Sequence, residues 1–213
     1  MRGRLRHQHA QKIDCDERMN IETFSLNLDL VSLLHKKPDH LTQTISWHGH
    51  LPFARWVTAI TKPKLFVELG VHEGDSYCTF CETIRELDLE TRCVGIDAWE
   101  GDHQAGFYGD QILKRLKTYH DPRFGSFSTL SKKWFADAVP DFEDGSIDLL
   151  HIDGLHTYDA VKDDFYNFLP KMSNRGVVLF HDITVRHGDF GVWAFWEEIT
   201  KNYPSFQFEH SHG

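Results

Sequence analysis

The chain has 213 residues, of which 40% are hydrophobic and 26% charged, a composition typical of a globular protein with one substantial core. Its formal net charge of -9 argues against broad binding to nucleic acid or to an anionic membrane, because both need concentrated basic residues. No apolar run approaches the ~18 residues that span a bilayer, and the first residues lack the apolar segment of a secretory signal. We therefore expect a cytoplasmic protein.

The order of the apolar patterns predicts one folded domain behind an extension. We expect residues 1–40 to form a partly disordered N-terminal extension and residues 41–213 to form the domain. From Pro52 to Thr61, apolar residues recur at intervals of three and four, which predicts an amphipathic helix. Beyond it the sequence predicts strands at 65–69, 92–96, 124–129, 147–152 and 176–181, alternating with helices at 75–87, 109–118, 131–138, 157–169 and 191–201. This alternation predicts an α/β fold with a doubly wound, mostly parallel sheet.

Local residue types refine this outline. Ser131 is suited to cap the helix at 131–138. Cys78 and Cys81 lie three residues apart inside a predicted helix, so they share one face and are expected to pack in the core rather than bind zinc. Segment 206–209 alternates with period two, which predicts a last strand. The histidines near the two ends are expected to be solvent-exposed: His7, His9, His210 and His212.

The stretch from Leu65 to Asp97 has the layout of a nucleotide-type cofactor site. An apolar run ending near Glu68 predicts a buried strand, and Gly70 and Gly74 bracket a turn that opens a helix. The next apolar run ends at Asp97, at the separation where a strand–helix–strand unit presents a carboxylate to ribose hydroxyls. The stretch therefore predicts recognition of an adenosine group.

The acidic turn favours S-adenosylmethionine over a dinucleotide. The turn lacks the G-x-G-x-x-G pattern that a pyrophosphate needs. Its acids, Glu68, Glu73 and Asp75, repel phosphate but suit a ligand that carries a sulfonium and an ammonium group. The alternative is an ordinary strand–helix turn in which Asp75 or Ser76 caps the helix.

Acids and histidines follow the predicted strands, at the edge of the sheet where ligands of open parallel sheets bind. These residues are Glu68, Asp97, His151, Asp153, His156, His181 and Asp182. Such a set is suited to a divalent metal ion, to a catalytic base, or to both. Zinc is less favoured, since no cysteine accompanies the histidines at ligand spacing. The alternative is that the two aspartates cap the following helices and that the histidines bond to backbone.

Trp99 lies two residues past Asp97, in a glycine-rich loop that continues to Gly109. An aromatic side chain there is placed to lie over the adenosine or over the acceptor. A long loop at the rim of a cofactor site also predicts a lid.

Four motifs together resemble the class I S-adenosylmethionine-dependent methyltransferases of the Methyltransf_24 type. They are Val67-Glu68-Leu69-Gly70 with Gly74-Asp75-Ser76, then Gly95-Ile96-Asp97, then His151-Ile152-Asp153-Gly154-x-His156-x-Tyr158, and finally Phe180-His181-Asp182. The likeness covers about Trp47 to Phe208. It implies a seven-stranded doubly wound sheet, with Glu68 and Gly70 near the methionine portion of the cofactor and Asp97 on its ribose. The candidate cofactor-binding residues are Glu68, Gly70, His72, Gly74, Ser76, Asp97, Ala98, Trp99 and Asp153.

The resemblance also implies a metal site. Related metal-dependent sugar O-methyltransferases bind Mg²⁺ through an acid after strand four and an acid pair after strand five, which makes Asp153 and Asp182 the metal ligands here. The chain departs from that pattern with His181 at the first position of the pair. The competing account is a histidine base, His156 first and His181 second. The chain also lacks a seventh strand after 206–208, so we expect a fragment, a split domain or part of a longer polypeptide.

The sequence thus predicts a methyltransferase that moves the sulfonium methyl group to an oxygen of a small acceptor, such as a sugar, a glycan or a natural product. It predicts no nucleic-acid partner and no membrane partner, and it allows a homo-oligomer. Two alternatives remain open. One is a non-catalytic cofactor-binding domain of a larger assembly, and the other is an NAD-linked oxidoreductase, which the acidic turn disfavours.

Overall fold

The computed structural model describes residues 28–213, which form a parallel sheet flanked by helices. The strands are β1 Leu65–Leu69, β2 Arg92–Asp97, β3 Gly101–Asp102, β4 Gly106–Phe107, β5 Ser128–Lys132, β6 Ile147–Ile152 and β7 Met172–Phe180. The helices are α1 Leu28–His35, α2 Leu51–Thr61, α3 Asp75–Glu86, α4 Gln111–Phe124, α5 Phe135–Ala138, α6 Tyr158–Phe168 and α7 Val192–Ile199. Short 3₁₀ turns lie at His48–His50, Val139–Asp141 and Leu169–Lys171. The predicted disorder before α1, with His7 and His9, lies outside the described residues.

The sheet has the order β5-β2-β1-β6-β7, and every neighbouring pair is parallel. β1 and β6 are buried along their whole length, as expected of central strands covered on both faces. The register places Glu68 opposite both Gly95 and His151. All five strands therefore end at one edge, and the predicted α/β parallel fold is confirmed.

Two apolar clusters fill the two faces of the sheet. The first packs α2, α3 and α4 against one face, and it includes the free cysteines Cys78, Cys81 and Cys93. The second packs α6 and α7 against the other face, with Phe165 and Phe195 at its centre. The cysteines are buried among aromatic and aliphatic side chains, so the prediction that they pack in the core is confirmed.

Several predicted elements differ from the structure; besides those described next, the helix predicted at 131–138 begins at Phe135 and the strand predicted at 176–181 begins at Met172. α4 continues to Phe124, because Leu116 and Phe124 on its inner face are buried in the first cluster. The following strand is displaced to 128–132, and Ser131 lies inside it rather than capping a helix. Segment 206–209 forms no strand, so the predicted last strand is wrong.

Aromatic packing replaces strand pairing at this segment. The ring of Phe208 packs on that of Phe53 at 4.9 Å between centroids, while Phe206 is 71% exposed. Within residues 28–213, β7 is therefore one edge of the sheet. No helix in the described part of the chain has the length and apolar character needed to cross a membrane.

Candidate active site

A cavity of about 760 Å³ lies at the carboxyl ends of the strands. The turn after β1, the loop after β2 and the loops after β6 and β7 form its wall. The predicted site residues that line it are Gly70, His72, Gly74, Ser76, Asp97, Ala98, Asp153, His156, His181 and Asp182. Glu68 and Trp99 stand behind the wall. The cavity size is that of sites for small organic ligands.

Gly70 brings the ends of β1 and β6 into close contact. Its φ is 91°, a left-handed conformation that favours glycine, and a Cβ there would lie 2.0 Å from the backbone oxygen of Asp153. The backbone nitrogen of Asp153 donates to the oxygen of Leu69 at 2.9 Å. The turn can keep this shape only with glycine at position 70.

Asp97 presents a carboxylate held by two backbone donors. Its oxygens accept from the nitrogen of His72 at 2.8 Å and from that of Trp99 at 2.6 Å. Burial raises the pKa of Asp97, and these donors partly offset that rise. A carboxylate has about four acceptor positions, so this side chain can also accept bonds from ligand hydroxyls.

Trp99 has a structural position. Its indole is fully buried in the first apolar cluster, and its Nε1 donates to the backbone oxygen of His72 at 3.0 Å. The side chain therefore ties the loop after β2 to the turn after β1. The expectation that Trp99 lies over a ligand is corrected, because its position is decided by core packing.

Glu68 supports the wall from behind. One carboxylate oxygen accepts from Oγ of Ser76 at 2.7 Å, and the other lies 3.0 Å from Nδ1 of His151. Trp47 donates through Nε1 to Nε2 of His151 at 3.3 Å, so Nδ1 carries the hydrogen that is donated to Glu68. Burial raises the pKa of Glu68, while the bonds from His151 and Ser76 oppose the rise. Glu68 thus orients Ser76, which does line the cavity.

Two aspartates and two histidines meet at the ends of β6 and β7. Nε2 of His156 lies 2.9 Å from Oδ2 of Asp182 and 3.4 Å from Oδ1 of Asp153. Nδ1 of His181 lies 3.3 Å from Asp153 and 3.4 Å from Asp182. The sequence prediction that these four residues come together is confirmed by their positions, and we call them the acid–histidine cluster.

The cluster holds both histidines in the charged form. Burial disfavours the charge on His156, but the hydrogen bonds that its ring donates to Asp153 and Asp182 outweigh burial and raise its pKa to about 9. For His181, burial is likewise outweighed by Asp153 and Asp182, and the pKa rises to about 10. In return, despite burial, the histidines lower the pKa of Asp182 to about 2. Two imidazolium groups and two carboxylates therefore neutralise each other at neutral pH.

Segment 210–213 contacts the same cluster. Nδ1 of His212 lies 3.1 Å from Oδ1 of Asp182, and the ring of His210 stacks on that of His50 at 4.8 Å between centroids. The backbone oxygen of Ser211 lies 3.1 Å from the ring nitrogens of both His50 and His181. The prediction that His210 and His212 are exposed is correct for their outer surfaces, but it missed these contacts with the site.

A metal ion would find a suitable donor set here. Asp153, His181 and Asp182 each offer one atom, and these atoms lie within 4.8 Å of one another. Two carboxylate oxygens suit Mg²⁺, whereas an imidazole nitrogen suits first-row transition ions such as Mn²⁺ or Zn²⁺. The donor set therefore fits a divalent ion and is less oxygen-rich than an ordinary Mg²⁺ site.

Sequence reasoning missed several residues of the wall or its support, among them Trp47, Gln104 and Asp164. Trp47 precedes α2 and reaches the sheet only through tertiary packing. Gln104 stands at the tip of the β3–β4 hairpin, a polar position without a motif. Asp164 lies on the same face of α6 as Ala160, four residues earlier, and both line the cavity, but no pattern in the sequence singles out either residue.

Comparison with known sequences identifies the family. The sequence model of Methyltransf_24, described as a methyltransferase domain, matches residues 67–183. The uncharacterized protein y4gI of Sinorhizobium fredii is 42% identical over 195 residues, which are 92% of this chain and 21% of that protein. The chain thus spans about a fifth of the length of this curated relative.

Solved structures show the same fold. The O-methyltransferase TomG from Streptomyces achromogenes, involved in tomaymycin synthesis and solved with S-adenosylmethionine, matches with a TM-score of 0.56 at 13% identity, over 83% of this chain and 78% of that one. An O-methyltransferase from Bacillus cereus, solved with S-adenosylhomocysteine, has a TM-score of 0.55 at 11% identity, over 82% and 78%. The chain belongs to the Methyltransf_24 family of methyltransferase domains, as its motifs predict.

Proposed function

We propose that this domain transfers the methyl group of S-adenosylmethionine to a hydroxyl oxygen of a small acceptor, such as a sugar, a glycan or a natural product. The observation that carries the proposal is the single cavity that joins the Asp97 carboxylate to the acid–histidine cluster. One end is suited to a nucleoside and the other to a polar reacting group. The proposal depends neither on the cellular compartment of the protein nor on whether the domain forms a homo-oligomer.

The cofactor would lie along the turn after β1. Asp97 would accept bonds from the ribose hydroxyls, Ala98 would contact the flat base, and Glu73 with Asp75 would provide negative charge near the cationic methionine portion. Gly70 and Gly74, with φ of 91° and 90°, leave the backbone free of side chains at this wall. When bound, S-adenosylmethionine supplies an electrophilic methyl group on a positively charged sulfur.

His156 is the first candidate for the group that takes the acceptor proton, and His181 is the second. Both line the cavity, and Nε2 of His156 faces both carboxylates. A protonated imidazole cannot accept a proton, so the raised pKa of His156 requires this ring to lose its proton before it acts. By aligning the acceptor oxygen with the methyl group, the cluster would also contribute much of the rate enhancement.

Metal assistance is the alternative account of proton removal. Asp153 and Asp182 would hold the ion, and His181 would become a third ligand through Nδ1 only after the ion displaces the proton from that nitrogen. A bound divalent cation lowers the pKa of a hydroxyl and orients it. Mg²⁺ is the ion that the two carboxylates favour, and the histidine favours Mn²⁺ or Zn²⁺ instead.

A screen of acceptors tests the proposal. The chain is incubated with S-adenosylmethionine and a panel of hydroxylated sugars, glycans and phenols, with and without Mg²⁺ or Mn²⁺, and S-adenosylhomocysteine release is followed by mass spectrometry. We expect turnover with at least one hydroxylated acceptor and its loss in His156→Ala. Binding of S-adenosylmethionine with no transfer to any acceptor favours a non-catalytic domain, a reading supported by the much greater length of y4gI.

A further inference from the structure

The wall of the cavity carries charge of one sign. Seven carboxyl groups line it, whereas no lysine or arginine does so within residues 28–213. Proteins bind phosphate and carboxylate groups through guanidinium and ammonium groups or through backbone N–H groups. This wall offers such ligands no cationic side chain except histidine. The seven acids are Glu73, Asp75, Asp97, Asp102, Asp153, Asp164 and Asp182.

Cations around the cavity do not remove this excess of negative charge. Arg115 pairs with Glu73 from outside the wall. Lys132 is in register with Asp97, but its ammonium group bonds to the exposed Asp110 instead. The acid–histidine cluster is neutral in itself, and a divalent ion that replaced its two ring protons would leave its charge unchanged. The cavity therefore keeps a net negative charge with or without a metal ion.

The hydroxyl of Tyr108 responds to these carboxylates. Its side chain lines the cavity, and its ring lies 5.0 Å from that of His72 between centroids. Burial raises the pKa of this hydroxyl, and the negative charges of Asp97, Asp102 and Glu73 raise the pKa further. The same carboxylates that disfavour a negative charge at this position favour a positively charged ligand in the cavity.

Asp102 lies on the β3–β4 hairpin, beside the end of the cavity that holds the acid–histidine cluster. The tip of this hairpin contacts the cluster, since Oε1 of Gln104 lies 3.0 Å from Nδ1 of His156. Oδ1 of Asp102 accepts from the backbone nitrogens of Gln104 and Ala105, both at 2.7 Å. In the described part of the chain Oδ2 has no hydrogen-bond partner, so this oxygen is available to a donor of a ligand.

We propose that the acceptor is a hydroxylated molecule that carries an ammonium group and no phosphate or carboxylate group, and that Asp102 binds its ammonium group. This inference rests on the proposed function and narrows its class of acceptor. Amino sugars and hydroxylated amines meet the description, whereas sugar phosphates, nucleotide-linked sugars and coenzyme A thioesters do not. An anionic acceptor would exchange water for a wall that repels it and offers no lysine or arginine in residues 28–213.

A panel of acceptors matched in skeleton and different in charge tests this selectivity. Glucosamine, N-acetylglucosamine and glucuronate form one set, and tyramine, tyrosol and hydroxyphenylacetate form another. The formation of S-adenosylhomocysteine from S-adenosylmethionine gives kcat/KM for each compound. For an accepted skeleton, we expect the ammonium form to exceed the neutral form by roughly tenfold, and the anionic form to fall at least about tenfold below the neutral form. Added salt should weaken this preference, because salt screens exposed charges.

Asp102→Asn tests the residue itself. The asparagine oxygen can keep the bonds from the two hairpin nitrogens, while the negative charge is lost. We expect the preference for the ammonium form over the neutral form to fall to about twofold or less, through a higher KM for the ammonium form. Glu100→Gln removes an exposed acid that precedes the hairpin and does not line the cavity, so it should keep the wild-type preference. Circular dichroism and titration with S-adenosylhomocysteine establish that each variant is folded and binds the cofactor product.

The outcomes separate this inference from the proposed function. Efficient methylation of the anionic forms upholds methyl transfer to a hydroxyl group but overturns the charge selectivity. Equal use of the ammonium and neutral forms, or an unchanged preference in folded Asp102→Asn, overturns the binding of an ammonium group by Asp102. If the chain binds S-adenosylhomocysteine and methylates no acceptor of any charge, the proposed function is overturned and this inference falls with it.

Discussion

The side-chain oxygen of Gln104 lies 3.0 Å from both the backbone nitrogen and Nδ1 of His156. The same side chain donates through Nε2 to Asp189 at 2.8 Å, and His103 pairs with Asp189 at 2.6 Å. The tip of the β3–β4 hairpin is thereby fastened across the cavity to the loops after β6 and β7. Because Gln104 accepts at Nδ1 and the aspartates accept at Nε2, hairpin closure and the orientation of His156 are coupled.

Gln104→Leu should release the hairpin, because leucine keeps most of the volume but none of the hydrogen bonds. We expect S-adenosylhomocysteine to dissociate roughly 2- to 10-fold faster, since one or two hydrogen bonds of ordinary strength are lost. Stopped-flow tryptophan fluorescence measures the rate, and hydrogen exchange of residues 101–107 reports the opening. Glu100→Gln, at an exposed position that directly precedes the hairpin and does not line the cavity, is the control. An unchanged dissociation rate in Gln104→Leu would contradict the claim that the Gln104 hydrogen bonds hold the hairpin closed over the cavity.

Gly70→Ala should destabilise the domain by roughly 3 kcal/mol or more, because the new methyl group meets backbone of Asp153 that cannot move aside. Gly145→Ala is the matched control. Its φ is also positive, at 71°, but nothing lies within 4 Å of the added Cβ, so it should cost only about 1–2 kcal/mol. Urea unfolding measures both. Equal costs for the two variants would show that the close approach at Gly70 is unimportant.

Asp164 should make stability depend on pH. Partial burial, with a smaller effect from the neighbouring Asp163 charge, raises the pKa of Asp164 to about 7 in the folded chain, against about 3.9 in an unfolded one. Between these pH values the folded state therefore binds more protons. The contribution of Asp164 to the free energy of unfolding therefore falls as pH rises from about 4 to 7. Asp164→Asn removes this titrating group. The free energy of unfolding of the variant, relative to that of the wild type, should therefore rise by up to about 1.4 kcal/mol for each pH unit in this window.

Urea unfolding of wild type and Asp164→Asn at pH 5, 6, 7 and 8 measures the effect. Other titrating groups are common to both proteins and cancel in the difference. Asp163→Asn should show no comparable gain. A difference between wild type and Asp164→Asn that stays constant across these pH values would refute the raised pKa.

The positions of the main site residues were predictable from strand order. Parallel strands end at one edge of a sheet, so acids and histidines that directly follow buried apolar runs must lie near one another. Asp97, Asp153, His156, His181 and Asp182 all follow such runs, and all five line the cavity. The need for glycine at position 70 was also predictable, because it arises from the local backbone geometry at the end of β1.

Tertiary packing decided the rest. Trp99 is next to the site in sequence, but the gain from burying its indole places it in the core. Segment 206–209 has a strand-like period, yet Phe208 packs against Phe53 instead of pairing with β7. The contacts of Gln104 and His212 with the site join residues distant in sequence, and no local pattern encodes them.

Titration calorimetry of S-adenosylhomocysteine with the wild-type chain and with Asp97→Ala tests the central claim most directly. Asp144→Ala, an exposed acid outside the cavity, is the control. We predict micromolar binding to the wild type and to Asp144→Ala, and binding at least about tenfold weaker for folded Asp97→Ala, since a charged acceptor for the ribose is lost. A folded wild-type chain that does not bind S-adenosylhomocysteine would contradict the account.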